Sequence, residues 1–112
     1  MGLESDLARI EVLFRAINER IREIATRFRM DEEAIEFICE CADPTCTERV
    51  VLTLDQYEHV RSLSTRFVVV VGHEATPLVE RVVFRNPKFS VVKKIGVAGD
   101  LVEAEDPRRP LG

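Results

Sequence analysis

The stretch AIEFICECADPTCTERVVLTL, residues 34–54, holds two runs rich in apolar and β-branched residues, a polar turn, and every cysteine of the chain. AIEFICE (34–40) reads as a short strand ending in the cysteines, and ERVVLTL (48–54) as a second strand. Thr53 with Gln56 three residues on forms a capping-box signature, so a short helix opens where the second strand ends. Strand, cysteine turn, strand and capped helix in so short a span point to an α+β domain.

Downstream, LDQYEHVRSL continues that helix with Leu54, Tyr57, Val60 and Leu63 inward. RFVVVV (66–71) reads as a buried strand on its β-branched content. Gly72-His73-Glu74 interrupts it, and Pro77 delays regular structure. VERVVFR (79–85) and KFSVVKK (88–94), joined by the turn signal Asn86-Pro87, predict an antiparallel hairpin. From residue 96, GVAGDLVEAEDPRRPLG reads as a flexible acidic tail.

Upstream, Leu3, Leu7, Ile10, Phe14, Ile17, Ile21, Ile24 and Phe28 recur at spacings of four and three, a heptad stripe that predicts a helix over 4–28. Glu11–Arg15, Glu23–Arg27 and Glu19–Arg22 are spaced as surface ion pairs on its other faces. At about 1.5 Å per residue this helix is roughly 37 Å long. The stripe has two readings, as core against the chain's own sheet or as a seam shared with a second copy. Isoleucine in both of its series does not suit a parallel two-stranded coil, so a homodimer would use an antiparallel or shared arrangement. The expected architecture is one domain over 1–95: the long amphipathic helix, then a sheet region (34–95) forming a small, mostly antiparallel sheet with one inserted helix.

Composition narrows the setting. With 112 residues, 46% hydrophobic and 32% charged, the chain has the make-up of a globular domain. A net charge of −4 gives no global field for nucleic acid or anionic membrane. Thirteen of the sixteen basic residues are arginines, but the six in residues 9–29 share the helix with Glu4, Asp6, Glu11, Glu19 and Glu23, which are spaced to neutralise them, and aromatics are not interleaved as stacking platforms. Nucleic acid is therefore an unfavoured partner. The start MGLESDLARIEV lacks the features of an export signal and no apolar run is long enough for a membrane span, so the expected compartment is a reducing cytoplasm.

That compartment bears on Cys39-x-Cys41-x4-Cys46. A Cys39–Cys41 bridge would be strained and a Cys41–Cys46 bridge leaves one thiol over. Glu40, Asp43 and Glu48 oppose a thiolate nucleophile. Burial as inert core is the bland alternative, but ADPT is a turn sequence. Metal binding fits best: Cys39 and Cys41 point the same way at a strand end, and the Asp43-Pro44 turn returns Cys46 to them. Thiolates select zinc among common intracellular divalent ions. His73, presented by the bend at Gly72, is the favoured fourth ligand, with His59 as the alternative. Four protein ligands make such a site structural.

The C-x-C-x4-C spacing is similar to the post-SET zinc motif of histone methyltransferases, which supplies three sulfurs and takes its fourth ligand from a distant segment. Over residues 10–94 the pattern LFRAINERI, EFICEC…C, LTLDQYEHVR and GHE resembles a family of small uncharacterised bacterial proteins. Its members typically carry glycine after the second cysteine and proline before Gly-His-Glu, where this chain has Ala42 and Val71. Because Gly-His-Glu and the cysteines belong to one motif set, the resemblance supports His73 as the fourth ligand.

HEATP (73–77) starts like a zincin helix, but Pro77 replaces the second histidine and would break the helix, which excludes metalloprotease chemistry on this motif. The sequence therefore predicts a non-enzymatic cytosolic zinc-site protein acting as a protein-interaction or regulatory accessory module. The alternatives are a zinc-thiolate redox switch, a DNA-associated regulator and, last, a small zinc enzyme.

Overall fold

The computed structural model describes residues 2–75 and 77–108. The elements are α1 (Leu3–Arg27), β1 (Ile35–Ile38), β2 (Arg49–Leu52), α2 (Leu54–Arg61), β3 (Arg66–Val69), β4 (Glu80–Arg85), β5 (Ser90–Lys94) and α3 (Gly96–Ala104). The fold is α+β, and the capping box at Thr53 is present in both its hydrogen bonds, Gln56 N–H to Thr53 Oγ1 and Thr53 N–H to Gln56 Oε1. Leu63, expected inward after α2, is exposed.

The strands form two sheets rather than one. β1 pairs antiparallel with β2, and β3–β5–β4 make a three-stranded antiparallel sheet in that order. Alternation decides which faces are buried: Ile35 and Phe37 lie opposite Leu52 and Val50, and all four are inside. Tyr57 of α2 stacks on Phe37 with ring centroids 4.4 Å apart, a contact worth about 1 kcal/mol beyond its burial. The expected hairpin is β4–β5; its turn is closed by Asn86, whose side chain accepts from the Lys88 and Phe89 N–H groups.

The two sheets meet at Glu40. Its N–H donates to the Val68 carbonyl, and its buried carboxylate accepts from the Val68 N–H at 2.9 Å. One side chain thus completes a strand-like pairing between the end of β1 and β3. The strands remain two sheets joined at this junction, and the cysteines flank it.

Helix α1 forms where the periodicity puts it, with a facing the periodicity did not show. The molecule's longest extent is 41 Å, so a helix of about 37 Å runs its whole length. Its most buried residues are Ala8, Glu11, Arg15, Asn18 and Ala25, on a face adjacent to the apolar stripe. Much of that stripe faces solvent: Leu3 is 61%, Ile17 43%, Ile24 46% and Phe28 71% exposed. Leu7 and Ile21, half-buried, still reach the core.

The expected surface pair Glu11–Arg15 is instead fully inside, because each residue finds a distant partner. Glu11 and Glu80 both pair with the buried ammonium of Lys94. Arg15 donates to the carbonyls of Ser64 and Val102 at 2.7 Å and lies over the Phe67 ring. The other helix charges also pair outside their predicted partners: Arg20 with Glu23, Arg22 with Glu58, and Glu19 with Arg61 and Arg108.

The segment read as a flexible tail is largely structured. Helix α3 buries Ala98 and Val102 against α1 and the second sheet. Its Gly99 sits so close to the Lys94 carbonyl that an added Cβ would lie 2.9 Å from that oxygen. Beyond α3, Asp106 is buried against Arg61 at 2.5 Å, and Arg108 pairs with Glu19 and Glu58. Local composition favours a tail here, but burial and ion pairs override it; residues 109–112 lie outside the described residues. No described helix is long and apolar enough to cross a membrane.

Candidate metal centre

The four predicted ligands come together from three backbone devices. Cys39 and Cys41 are separated by one residue on the extended continuation of β1, so both sulfurs leave the chain on one side. The turn that follows is an Asx turn: Asp43 Oδ1 accepts from Thr45 N–H at 2.9 Å, and the Cys46 N–H donates to the Asp43 carbonyl at 3.1 Å. Ala42 fits without strain, since Arg29 is the one non-glycine among the described residues with positive φ. After β3, Gly72 at φ 91° turns the chain, and the His73 N–H closes the turn on the Val70 carbonyl at 2.9 Å. An added Cβ would meet nothing there, so glycine is required by the backbone angle and not by space.

The result is a cluster in which the Sγ atoms of Cys39, Cys41 and Cys46 and one ring nitrogen of His73 all lie within 4.8 Å of one another. His73 Nδ1 is 3.7 Å from Cys39 Sγ and 3.6 Å from Cys46 Sγ. A tetrahedral zinc with bonds of ~2.3 Å to sulfur and ~2.0–2.1 Å to nitrogen requires an S···N edge of about 3.6 Å. These two edges match that geometry, and the full donor set, within 4.8 Å, has the composition such an ion takes.

Two further contacts prepare the donors. Glu48 Oε2 lies 2.7 Å from His73 Nε2. A carboxylate there accepts from Nε2–H, which leaves the lone pair on Nδ1, the nitrogen that faces the sulfurs. The Val70 N–H donates to Cys39 Sγ at 3.2 Å, a bond that stabilises a thiolate. Against this, burial pushes the Cys39 thiol far above its ordinary range, with Cys41 and Cys46 adding to the shift, and burial raises Cys41 too. Burial thus favours the neutral thiol at Cys39 and Cys41, and a divalent cation bound there would invert that balance.

All four predicted residues thus meet at one point. His59 does not: it is exposed on α2, beside a separate cleft lined by Val60, Phe84 and Phe89. An open cleft of about 380 Å³ borders the cluster, lined by Cys41, Asp43, Gly72, His73 and Glu74. The Glu74 carboxylate in that lining is paired with Arg85 at 2.5 Å.

Sequence reasoning missed Glu48 as a partner of His73 and read it only as a charge opposing a thiolate. Its signal was position: it opens the strand that returns from the cysteine turn, beside the cluster. Glu40 carried no comparable signal. Burial pushes its carboxyl up to about 7, while the bonds from Asn18 and Val68 hold it down.

No family model, curated protein or solved structure matches this chain. The functional reading accordingly rests on the residues themselves.

Proposed function

We propose that Cys39, Cys41, Cys46 and His73 hold a structural zinc ion, and that the protein is a small accessory module working through protein contacts in a reducing, cytoplasmic setting. The observation that carries this reading is the gathering of three sulfurs and one imidazole nitrogen within 4.8 Å. Sulfur and imidazole donors favour zinc over magnesium or calcium. Four protein donors complete a tetrahedron and leave no open position for a reacting water, which is the arrangement of structural rather than catalytic zinc.

The mechanical role follows from where the donors sit. Cys39 and Cys41 flank the Glu40 junction between the sheets, Cys46 precedes β2, and His73 follows β3. An ion held by all four ties the β1–β2 hairpin to the larger sheet at a point where the backbone supplies little pairing. Metal analysis of protein purified without added zinc tests the reading. One equivalent of zinc per chain is expected, and His73→Ala should lower it. A content well below one equivalent, with three thiols titrating in the native protein, would refute it.

A further inference from the structure

Much of the apolar stripe of α1 is used by neither the fold nor the metal centre. Leu3, Ile17, Ile24 and Phe28 of the stripe are exposed, and Leu13 beside it is 60% exposed. Contiguous apolar surface of this kind marks an interaction site. Its spacing of four and three over 3–28 is that of a helix–helix seam, so the occupant it fits is another helix.

The face defines how that helix approaches. On one shoulder of the stripe, Glu11, Asn18 and Ala25 are buried in the chain's own domain. The other shoulder carries Asp6, Leu13, Arg20 and Arg27 at seven-residue spacing, all exposed. It is acidic at the N-terminal end and basic at the C-terminal end.

We propose that this face binds a second copy of the chain, α1 against α1 in antiparallel orientation around a two-fold axis. The register that matches the stripe to itself sets Phe14 level with Ile17 of the second copy and Leu7 level with its Ile24. In that register Asp6 falls within two residues of Arg27 of the second copy, and the reciprocal pair forms at the other end. A parallel pair would leave those charges about 30 Å apart, the rise of 21 residues. The pairing is isologous and closes on itself, so it yields a dimer and not a filament. The half-buried Leu7, Phe14 and Ile21 would complete their burial in the dimer.

The test is the mass of the full chain in solution at tens of micromolar, by sedimentation equilibrium. The wild type should have twice the 12.8 kDa of one chain. Ile17→Asp, at a solvent-facing position, should weaken association roughly 100-fold while the circular dichroism spectrum and metal content stay as in the wild type. Arg27→Glu should weaken it about threefold, and adding Asp6→Arg to that variant should restore it. A monomeric wild type, or a dimer indifferent to Ile17→Asp, would overturn the proposal. Failure of the double reversal to restore association would overturn the antiparallel orientation.

Discussion

Two of the polar centres among the described residues balance their charge by different means. Beneath the N-terminal half of α1, Glu11 and Glu80 enclose the ammonium of Lys94, so the cation is a side chain supplied by β5. At the junction of the sheets, Cys39, Cys41, Cys46 and His73 form a set of metal-ligating donors. The first centre is assembled by folding alone. The second would, under the proposed zinc reading, balance its charge with an ion taken from solution. Folding stability should accordingly respond to point mutation at the first centre and to metal supply at the second.

The largest effect is expected at the cysteines. Cys41→Ser, or a strong chelator acting on the wild type, should lower stability by ~5 kcal/mol or more, because metal-binding energy is folding energy in such sites. Thermal melting with and without added zinc measures it, and the chelated protein should recover on readdition. A melting temperature indifferent to both would erase the distinction between the two centres.

Next in size is Lys94→Met, which leaves the side chains of Glu11 and Glu80 buried without their cation. Breaking a buried ion cluster in this way costs about 3–5 kcal/mol. Urea unfolding should show that loss with zinc content still at one equivalent. Loss of zinc in this variant would mean that the two centres are coupled and not independent.

A smaller effect concerns pH. Burial is the main cause that raises the Glu11 carboxyl from 4.5 to about 8, against the pull of Lys94. The folded state therefore holds this proton more tightly than the unfolded chain does. Its contribution to stability is full below about pH 4.5 and is lost as pH rises towards 8, since the native state binds more protons in that window. Denaturation midpoints at pH 5.5 and 8 should fall with rising pH by an amount on the order of 1–3 kcal/mol. Glu11→Gln should flatten that slope. A slope unchanged in the variant would assign the dependence to another group.

The contrast between the centres also explains what could be read from the chain. The cysteine site was legible because its information is local: an x-separated pair, an Asx turn and a glycine bend are each written within a few residues. The strands and the Thr53 cap were legible for the same reason. The charged centre was not, since Glu11 meets Lys94 across 83 residues of chain, and Arg15 meets the Val102 carbonyl across 87. Periodicity locates an amphipathic helix but weighs apolar residues alone, so it left the stripe open between core and a seam with a second copy and did not show that the domain buries Glu11, Arg15 and Asn18. Helix α3 escaped notice because GVAG is a poor helix opening by propensity, and packing of Ala98 and Val102 against α1 and the second sheet stabilises it. The single expected sheet is two, joined at Glu40 by one backbone bond and one side-chain bond to Val68, a junction that strand patterning does not reveal.

X-ray absorption at the zinc edge, on protein purified without added metal, tests the central claim most directly. The account predicts a four-coordinate shell of three sulfurs at ~2.3 Å and one imidazole nitrogen at ~2.0 Å. A shell dominated by oxygen, or protein that carries no zinc and melts as the zinc-loaded form does, would contradict it.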